Sequence, residues 1–395
     1  MKSLLSQRAA HLKPSATLAI STKASELKSQ GVDVVGFGAG EPDFPTPAHI
    51  REAAKKSLDR GETFYTPVAG TPQLRKAIAA RFLVDYGLEY KPEQILVSCG
   101  AKHSLYNLFH ALLEEGDEMI IFAPYWVSYP EMVELAGAKP VIVETSEDDR
   151  FVPDPGRVES SITSRTKAIL LNSPSNPTGV LYPQSLLEEL AKLAEKHDLL
   201  VISDEIYDKL LYDGLKFAPF ATLPGMKERT VTVNGPSKTY AMTGFRIGWL
   251  ASTQLALVKA ATNIQSQSTS NPTSTAQAAA VEALNGPQDE VERMRAIFEK
   301  RRDLIMAEID KSEGMFSVRP DGAFYAFLNM TQFYGKKGIS DSATMAQYLL
   351  ESRNVACVPG GPFGSEDHVR LSFATGEETI RKGMERIREA CQALG

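Results

Sequence analysis

Between about residues 95 and 251 the chain alternates short apolar runs with stretches whose apolar residues recur at helical spacing. The runs are ILVSC (95–99), EMIIF (118–122), PVIVE (140–144), KAILL (167–171), LLVIS (199–203), TVTVN (230–234) and IGWLA (247–251). They lack the clean polar alternation of a half-buried strand, so they read as strands covered on both faces. Between the first two, Leu105, Leu108, Phe109 and Leu112 keep helical spacing, and SLLEELAKLAEKH (185–197) does the same before the fifth. This rhythm predicts an α/β fold whose mostly parallel seven-stranded sheet is covered by helices.

From about residue 285 the pattern changes. Charged helical stretches, EVERMRAIFEKRRDLIMAEI and EETIRKGMERIREACQAL, are separated by short strand-like pieces such as FYAFLNM and HVRLSFAT. A second, smaller α+β domain follows from that change. The expected division is a large domain over residues 46–290 and a small domain made of 1–45 together with 291–395.

Composition narrows the function classes. A chain of 395 residues with 43% hydrophobic content can bury a large core. Its formal net charge is -6 and its longest basic cluster is KRR at 300–302, so no stripe of lysine and arginine offers a nucleic-acid footprint. Cys99, Cys357 and Cys391 are odd in number and fit no metal-ligand spacing, so neither a metal site nor a disulfide framework is expected. The opening MKSLLSQRAAHLKPSATL has only brief apolar runs, and nowhere do enough apolar residues follow one another to span a membrane. A cytoplasmic protein is the expectation.

In open α/β sheets ligands bind beyond the carboxyl ends of the strands. Four of these ends carry candidate chemistry. After ILVSC, Gly100, Ala101 and Lys102 open a helix whose free N–H groups favour an anion, although a plain glycine turn accounts for the same residues. After KAILL, the prolines and glycine of NSPSNPTG hold Asn176 in a rigid loop. After LLVIS comes Asp204, which is either a helix N-cap or a buried carboxylate in need of a cation. After TVTVN comes GPSKT, with Lys238 and, eight residues on, Arg246.

GPSKT lacks the first glycine and spacer of a P-loop, and GFGAGEP (36–42) fails as a dinucleotide fingerprint. An anion cradle, a carboxylate, an amide and a lysine at neighbouring strand ends suit a ligand with a phosphate at one end and a cationic ring nitrogen at the other. Pyridoxal 5′-phosphate is such a ligand.

The chain resembles the fold-type I, class I aminotransferases, and in particular the bacterial aspartate aminotransferases of the Ib subgroup. The resemblance runs over nearly the whole chain, through KPSATLAI, GAGEPDF, YTPVAG, SCGAKHSLYN, PYWVSYPEM, NSPSNPTG, SDEIYD, SKTYAMTGFRIGW and HVRLSFAT. It implies that Lys238 bonds covalently to pyridoxal 5′-phosphate and later moves the substrate's proton. It implies that Asp204 pairs with the pyridine nitrogen, that Asn176 and Tyr207 hydrogen-bond the phenolic oxygen, and that Trp126 stacks on the ring. Gly100, Ala101, Ser237 and Arg246 would hold the phosphate, joined by Tyr65 from the second subunit of a homodimer with shared active sites. Arg370 would take the substrate α-carboxylate with Gly40 closing over it, and Lys102 the side-chain carboxylate of a dicarboxylic substrate.

What the resemblance implies for activity is transamination between L-aspartate and 2-oxoglutarate. Some members also act on prephenate, with a lysine at the position of Lys13 implicated; an aromatic aminotransferase or a β-lyase are the nearer alternatives. One departure is Phe245, where the family more often has Trp. A pyridoxal-phosphate-binding transcription regulator is disfavoured, because the match begins by about residue 13 and leaves no room for a helix-turn-helix module.

Overall fold

A computed structural model describes residues 4–6, 9, 10, 12 and 16–395. Its strands are β1 (Val35–Gly36), β2 (Ile95–Ser98), β3 (Glu118–Ala123), β4 (Lys139–Glu144), β5 (Thr166–Asn172), β6 (Leu200–Asp204), β7 (Thr230–Asn234), β8 (Gly248–Ala251), β9 (Phe316–Ser317), β10 (Tyr325–Asn329), β11 (Val355–Ala356), β12 (Val358–Pro359) and β13 (His368–Ser372). The apolar runs read from the sequence are strands β2 to β8, each displaced by no more than one residue at either end. They form one seven-stranded sheet in the order β2-β8-β7-β6-β5-β3-β4.

The burial on both faces that the runs implied is visible within single strands. Along β5, Ala168 and Leu170 pack with Leu105, Leu108 and Phe109 of the helix Ala101–Leu112. Ile169 and Leu171 point the other way, onto Leu186, Leu187 and Leu190 of the helix Gln184–Lys196. Successive side chains of a strand face opposite sides, so two covering helices require an unbroken apolar run.

One strand departs from parallel. β8 runs antiparallel to both β7 and β2. Its connection from β7, residues 235–247, contains only the four-residue helix Pro236–Thr239 and a short 3-10 turn, Thr243–Phe245. That is no full crossover helix, so the chain turns at the end of β7 and comes back beside it. Lys238 sits in this turn.

The second layer is the antiparallel sheet β12-β13-β10-β9, packed with the helices Asp289–Asp310, Ser342–Arg353 and Glu377–Gln392. The N-terminal segment joins this layer through β1, which pairs with β11 at Val35↔Val355. Phe37, fully buried, lies in the same core as Phe298, Leu371 and Ile387. Among the described residues no helix is long and apolar enough to cross a membrane.

Candidate active site

The carboxyl ends of β5 and β6 lie side by side, with Asn172 and Asp204 as register partners. Asn172 donates from Nδ2 to the Asp204 carbonyl oxygen at 3.1 Å and accepts the Asn176 N–H at 3.0 Å. One strand-end asparagine therefore orients both the acid and the loop amide. The β7 end supplies the turn that carries Ser237 and Lys238.

These ends open on a cavity of about 660 Å³. Lining it are Gly40, Ala101, Lys102, Trp126, Asn176, Asp204, Tyr207, Ser237, Lys238, Arg246 and Arg370, so most residues singled out in the sequence meet here. Gly100 lies just beneath as the residue preceding the helix Ala101–Leu112. Its φ is +96°, and a Cβ there would sit 2.5 Å from Nη2 of Arg246. Only glycine allows both the turn and the guanidinium. Tyr65 does not line this cavity; it is 90% exposed in the single chain, next to Phe64 at 82%. Lys13 lies outside the described residues.

Lys238 Nζ donates to the Gly40 carbonyl oxygen at 2.5 Å. Burial pulls its ammonium down to about 8, with Glu41 acting against that and Arg370 and Arg246 reinforcing it. A lysine in this state holds roughly a tenth of its amine free at pH 7, far more than an ordinary lysine, as a nucleophile requires.

Asp204 is 4% exposed. Its Oδ2 accepts from the Tyr129 hydroxyl at 2.7 Å and its Oδ1 from the Ile206 N–H at 3.3 Å. Burial lifts its carboxyl to about 6 despite these two bonds. Among the described residues no cation pairs with it directly. A buried acid so placed is suited to a cationic partner brought in by a ligand.

Arg370, on β13, is 1% exposed. Nη1 donates to Asn176 Oδ1 at 2.9 Å and Nη2 to the Gly38 carbonyl oxygen at 3.2 Å, while Nε has no partner among the described residues. Its Cζ lies 4.4 Å from the centre of the Tyr325 ring and 5.0 Å from that of Phe363. A buried, unpaired guanidinium with an orphaned N–H matches an incoming carboxylate. The carbonyl on Arg370 is Gly38's, whereas Gly40's is on Lys238.

The remaining wall is aromatic and cationic. Tyr207 meets Tyr325 hydroxyl to hydroxyl at 3.0 Å. Lys102 Nζ stands 4.6 Å from the centre of the Trp126 ring, and Trp126 meets Tyr129 edge-on at 5.2 Å. Arg246, itself at φ 54°, donates to the Thr243 carbonyl oxygen at 2.9 Å. Among the described residues the Ser237 hydroxyl and the Asn176 Nδ2 have no hydrogen-bond partner, which leaves both free toward the cavity.

Sequence reasoning missed Asn172, Tyr129 and Tyr325. Asn172 directly follows the run KAILL, so the rule that directs attention to strand ends reaches it. Tyr129 and Tyr325 lie in apolar stretches with no local signal, and only the fold brings them to Asp204 and Arg370.

Residues 32–387 match the family model described as aminotransferase class I and II. The chain is similar to an aspartate aminotransferase of Bacillus subtilis, 49% identical with 97% of this chain and 98% of that one covered. It is also similar to an aspartate/prephenate aminotransferase of Thermus thermophilus, 48% identical with 97% of each chain covered. Among solved structures, the Thermus thermophilus aspartate aminotransferase with maleate superposes with a TM-score of 0.93 at 46% identity, covering 99% of this chain and 100% of that one.

Proposed function

The chain belongs to the class I and II aminotransferases, and from that premise we propose that it transfers the amino group of L-aspartate to 2-oxoglutarate, using pyridoxal 5′-phosphate. The observation that carries this reading is the meeting of Lys238, Asp204, Asn176 and Arg370 around one cavity of about 660 Å³.

The residues present fit the cofactor. Among the described residues Asp204 is buried without a direct cationic partner, the Ser237 hydroxyl and the first N–H groups of the helix Ala101–Leu112 are free, and Gly100 makes room for Arg246. When bound, pyridoxal 5′-phosphate supplies an aldehyde that captures amines and a protonated ring that draws electrons from the substrate Cα.

Ser237, Arg246 and the N–H groups after Gly100 would hold its phosphate, Asp204 its ring nitrogen, and Asn176 with Tyr207 its phenolic oxygen. Trp126 would cover the ring face. Lys238 would anchor it through Nζ. As a free amine the same Nζ would move the proton at the substrate Cα, and its lowered pKa suits a base working near neutral pH.

Arg370 would grip the α-carboxylate through its planar fork. Lys102, at the cavity wall, would receive the second carboxylate, which selects a dicarboxylic donor. In support, the similar Thermus thermophilus aspartate aminotransferase is seen with maleate, itself a dicarboxylate. A cytoplasmic homodimer completes the reading, with Tyr65 of the second subunit reaching the phosphate; the exposure of Phe64 and Tyr65 supports a covered surface there.

Prephenate as a further substrate is favoured by the names of several relatives. Half-reaction rates on a donor panel test the assignment. Aspartate and glutamate are expected to react faster than phenylalanine, and Lys102→Ala should slow these two dicarboxylic donors while leaving phenylalanine nearly unchanged. Turnover of prephenate with none of oxaloacetate would displace the aspartate reading.

A further inference from the structure

On β13, His368 lies two residues before Arg370 and so faces the same side of the strand. His368 is 3% exposed. Its ring lies flat on Phe327, with centroids 4.5 Å apart and planes 6° from parallel. Phe327 is the register partner of Arg370 on β10 and meets Phe363 edge-on at 6.1 Å. Phe363 in turn lies under the Arg370 guanidinium. A continuous set of ring contacts thus joins the imidazole to the guanidinium.

Of the polar atoms of the same imidazole, Nδ1 meets Ser365 Oγ at 2.8 Å within its own layer, and Nε2 is held by the other layer of the fold. His368 Nε2 lies 2.9 Å from Oε2 of Glu147, whose Oε1 accepts from Asn329 Nδ2 at 2.7 Å. Asn329 and His368 face each other across β10 and β13, so one carboxylate grips the shared end of both strands. Glu147 belongs to the turn that follows β4 of the seven-stranded sheet. That turn also sends Arg150 to Asp321 at 2.9 Å and packs Phe151 edge-on against Phe327 at 6.0 Å.

We propose that the Glu147–His368 pair is a positioning device for Arg370, fixing where its guanidinium stands relative to the Lys238 turn and so how tightly a substrate carboxylate is held. Neither residue lines the cavity. Among the described residues, the side chains of β13 hydrogen-bond to the seven-stranded sheet and its loops at two points, Arg370 to Asn176 inside the cavity and His368 to Glu147 outside it, and at the outer point Phe151 also meets the His368 ring edge-on at 5.5 Å. Because β13 is a central strand of its sheet, that sheet moves with it, and a sheet tied to the other layer only at the inner point is free to shift about it; the inner point is also the bond that an arriving carboxylate competes for. The outer tie removes that freedom before substrate arrives, which is preorganisation by a residue that touches no ligand.

The inference rests on Arg370 receiving the substrate carboxylate, as proposed above. Glu147→Ala, His368→Phe, the double variant and Arg370→Ala are compared as holoenzymes, reading KM and kcat for L-aspartate, Kd for maleate and the visible band of the bound cofactor. Each single change in the pair is expected to raise KM and the maleate Kd about tenfold, with kcat within about twofold and the band unchanged. The double variant should be no worse than the worse single, because the two residues act as one unit. His368→Gln, which keeps an N–H donor, should recover part of the loss. A pair that only stabilises the fold would lower the melting temperature and leave KM per active site unmoved. That outcome, or additive losses in the double variant, overturns the proposal while Arg370→Ala still weakens maleate. An Arg370→Ala enzyme with unchanged KM and maleate Kd would overturn the carboxylate assignment itself, and this inference with it.

Discussion

The Tyr129 hydroxyl donates to Oδ2 of Asp204 at 2.7 Å, and the same tyrosine meets Trp126 edge-on at 5.2 Å. One side chain thus braces the acid expected at the cofactor's ring nitrogen and the indole expected on its face. Tyr129→Phe keeps the packing and removes the bond. A hydrogen bond to a charged group contributes about 1.5–3 kcal/mol, so cofactor affinity should fall roughly ten- to hundredfold. Fluorescence titration of the cofactor-free protein checks this. Unchanged affinity would mean that Tyr129 does not help to hold Asp204 ionised.

Asp204 also sets a pH dependence. Its folded pKa is about 6 against an ordinary 3.8, raised by burial. Without cofactor, the folded chain therefore binds more protons than the unfolded chain between these values. The associated stability is fully present below about 4 and is lost as pH rises through about 6, on the order of 3 kcal/mol. Cofactor affinity should run the opposite way, rising with pH through about 6 as the carboxylate becomes available to a cation. Glu205 and Asp208 are buried acids shifted in the same direction, so the contribution of Asp204 is the difference between wild type and Asp204→Asn in urea unfolding across this range. Identical pH profiles for the two proteins would remove Asp204 from this role.

Gly100 offers a test of the phosphate cradle. A Cβ at this position would stand 2.5 Å from Arg246 Nη2, on a backbone with φ of +96°. The strain of a positive-φ extended backbone alone costs about 1–3 kcal/mol, and Arg246 must also move. Gly100→Ala should therefore weaken pyridoxal 5′-phosphate at least about tenfold while leaving pyridoxal, which has no phosphate, nearly unaffected. Equal losses for both ligands would indicate general damage to the helix start instead.

Much of this fold was legible because two physical patterns are local. Ala168 to Leu171 had to be apolar without interruption, since this part of β5 is covered by helices on both faces. Asp204, Asn176 and Lys238 were legible for a related reason, as polar residues just beyond such runs. Strand direction was not legible: β8 reads like its neighbours, and its reversal depends on the short turn through Lys238 rather than on its own residues. Tyr325 and Tyr129 were equally hidden, because a buried tyrosine in FYAFLNM or PYWVSYPEM looks like core until tertiary contacts place Arg370 or Asp204 beside it. The link from Glu147 to His368 spans 221 positions of sequence, and no periodicity reports a contact of that range.

The central claim is that Lys238 and its neighbours move an amino group from aspartate. Mixing the cofactor-loaded protein with L-aspartate, with no acceptor present, tests it in a single turnover. Wild type is expected to release one equivalent of oxaloacetate per subunit and to lose the visible band of the lysine-bound cofactor, while Lys238→Ala does neither at a comparable rate. Stoichiometric oxaloacetate from Lys238→Ala at the wild-type rate, or none from wild type, would contradict the account.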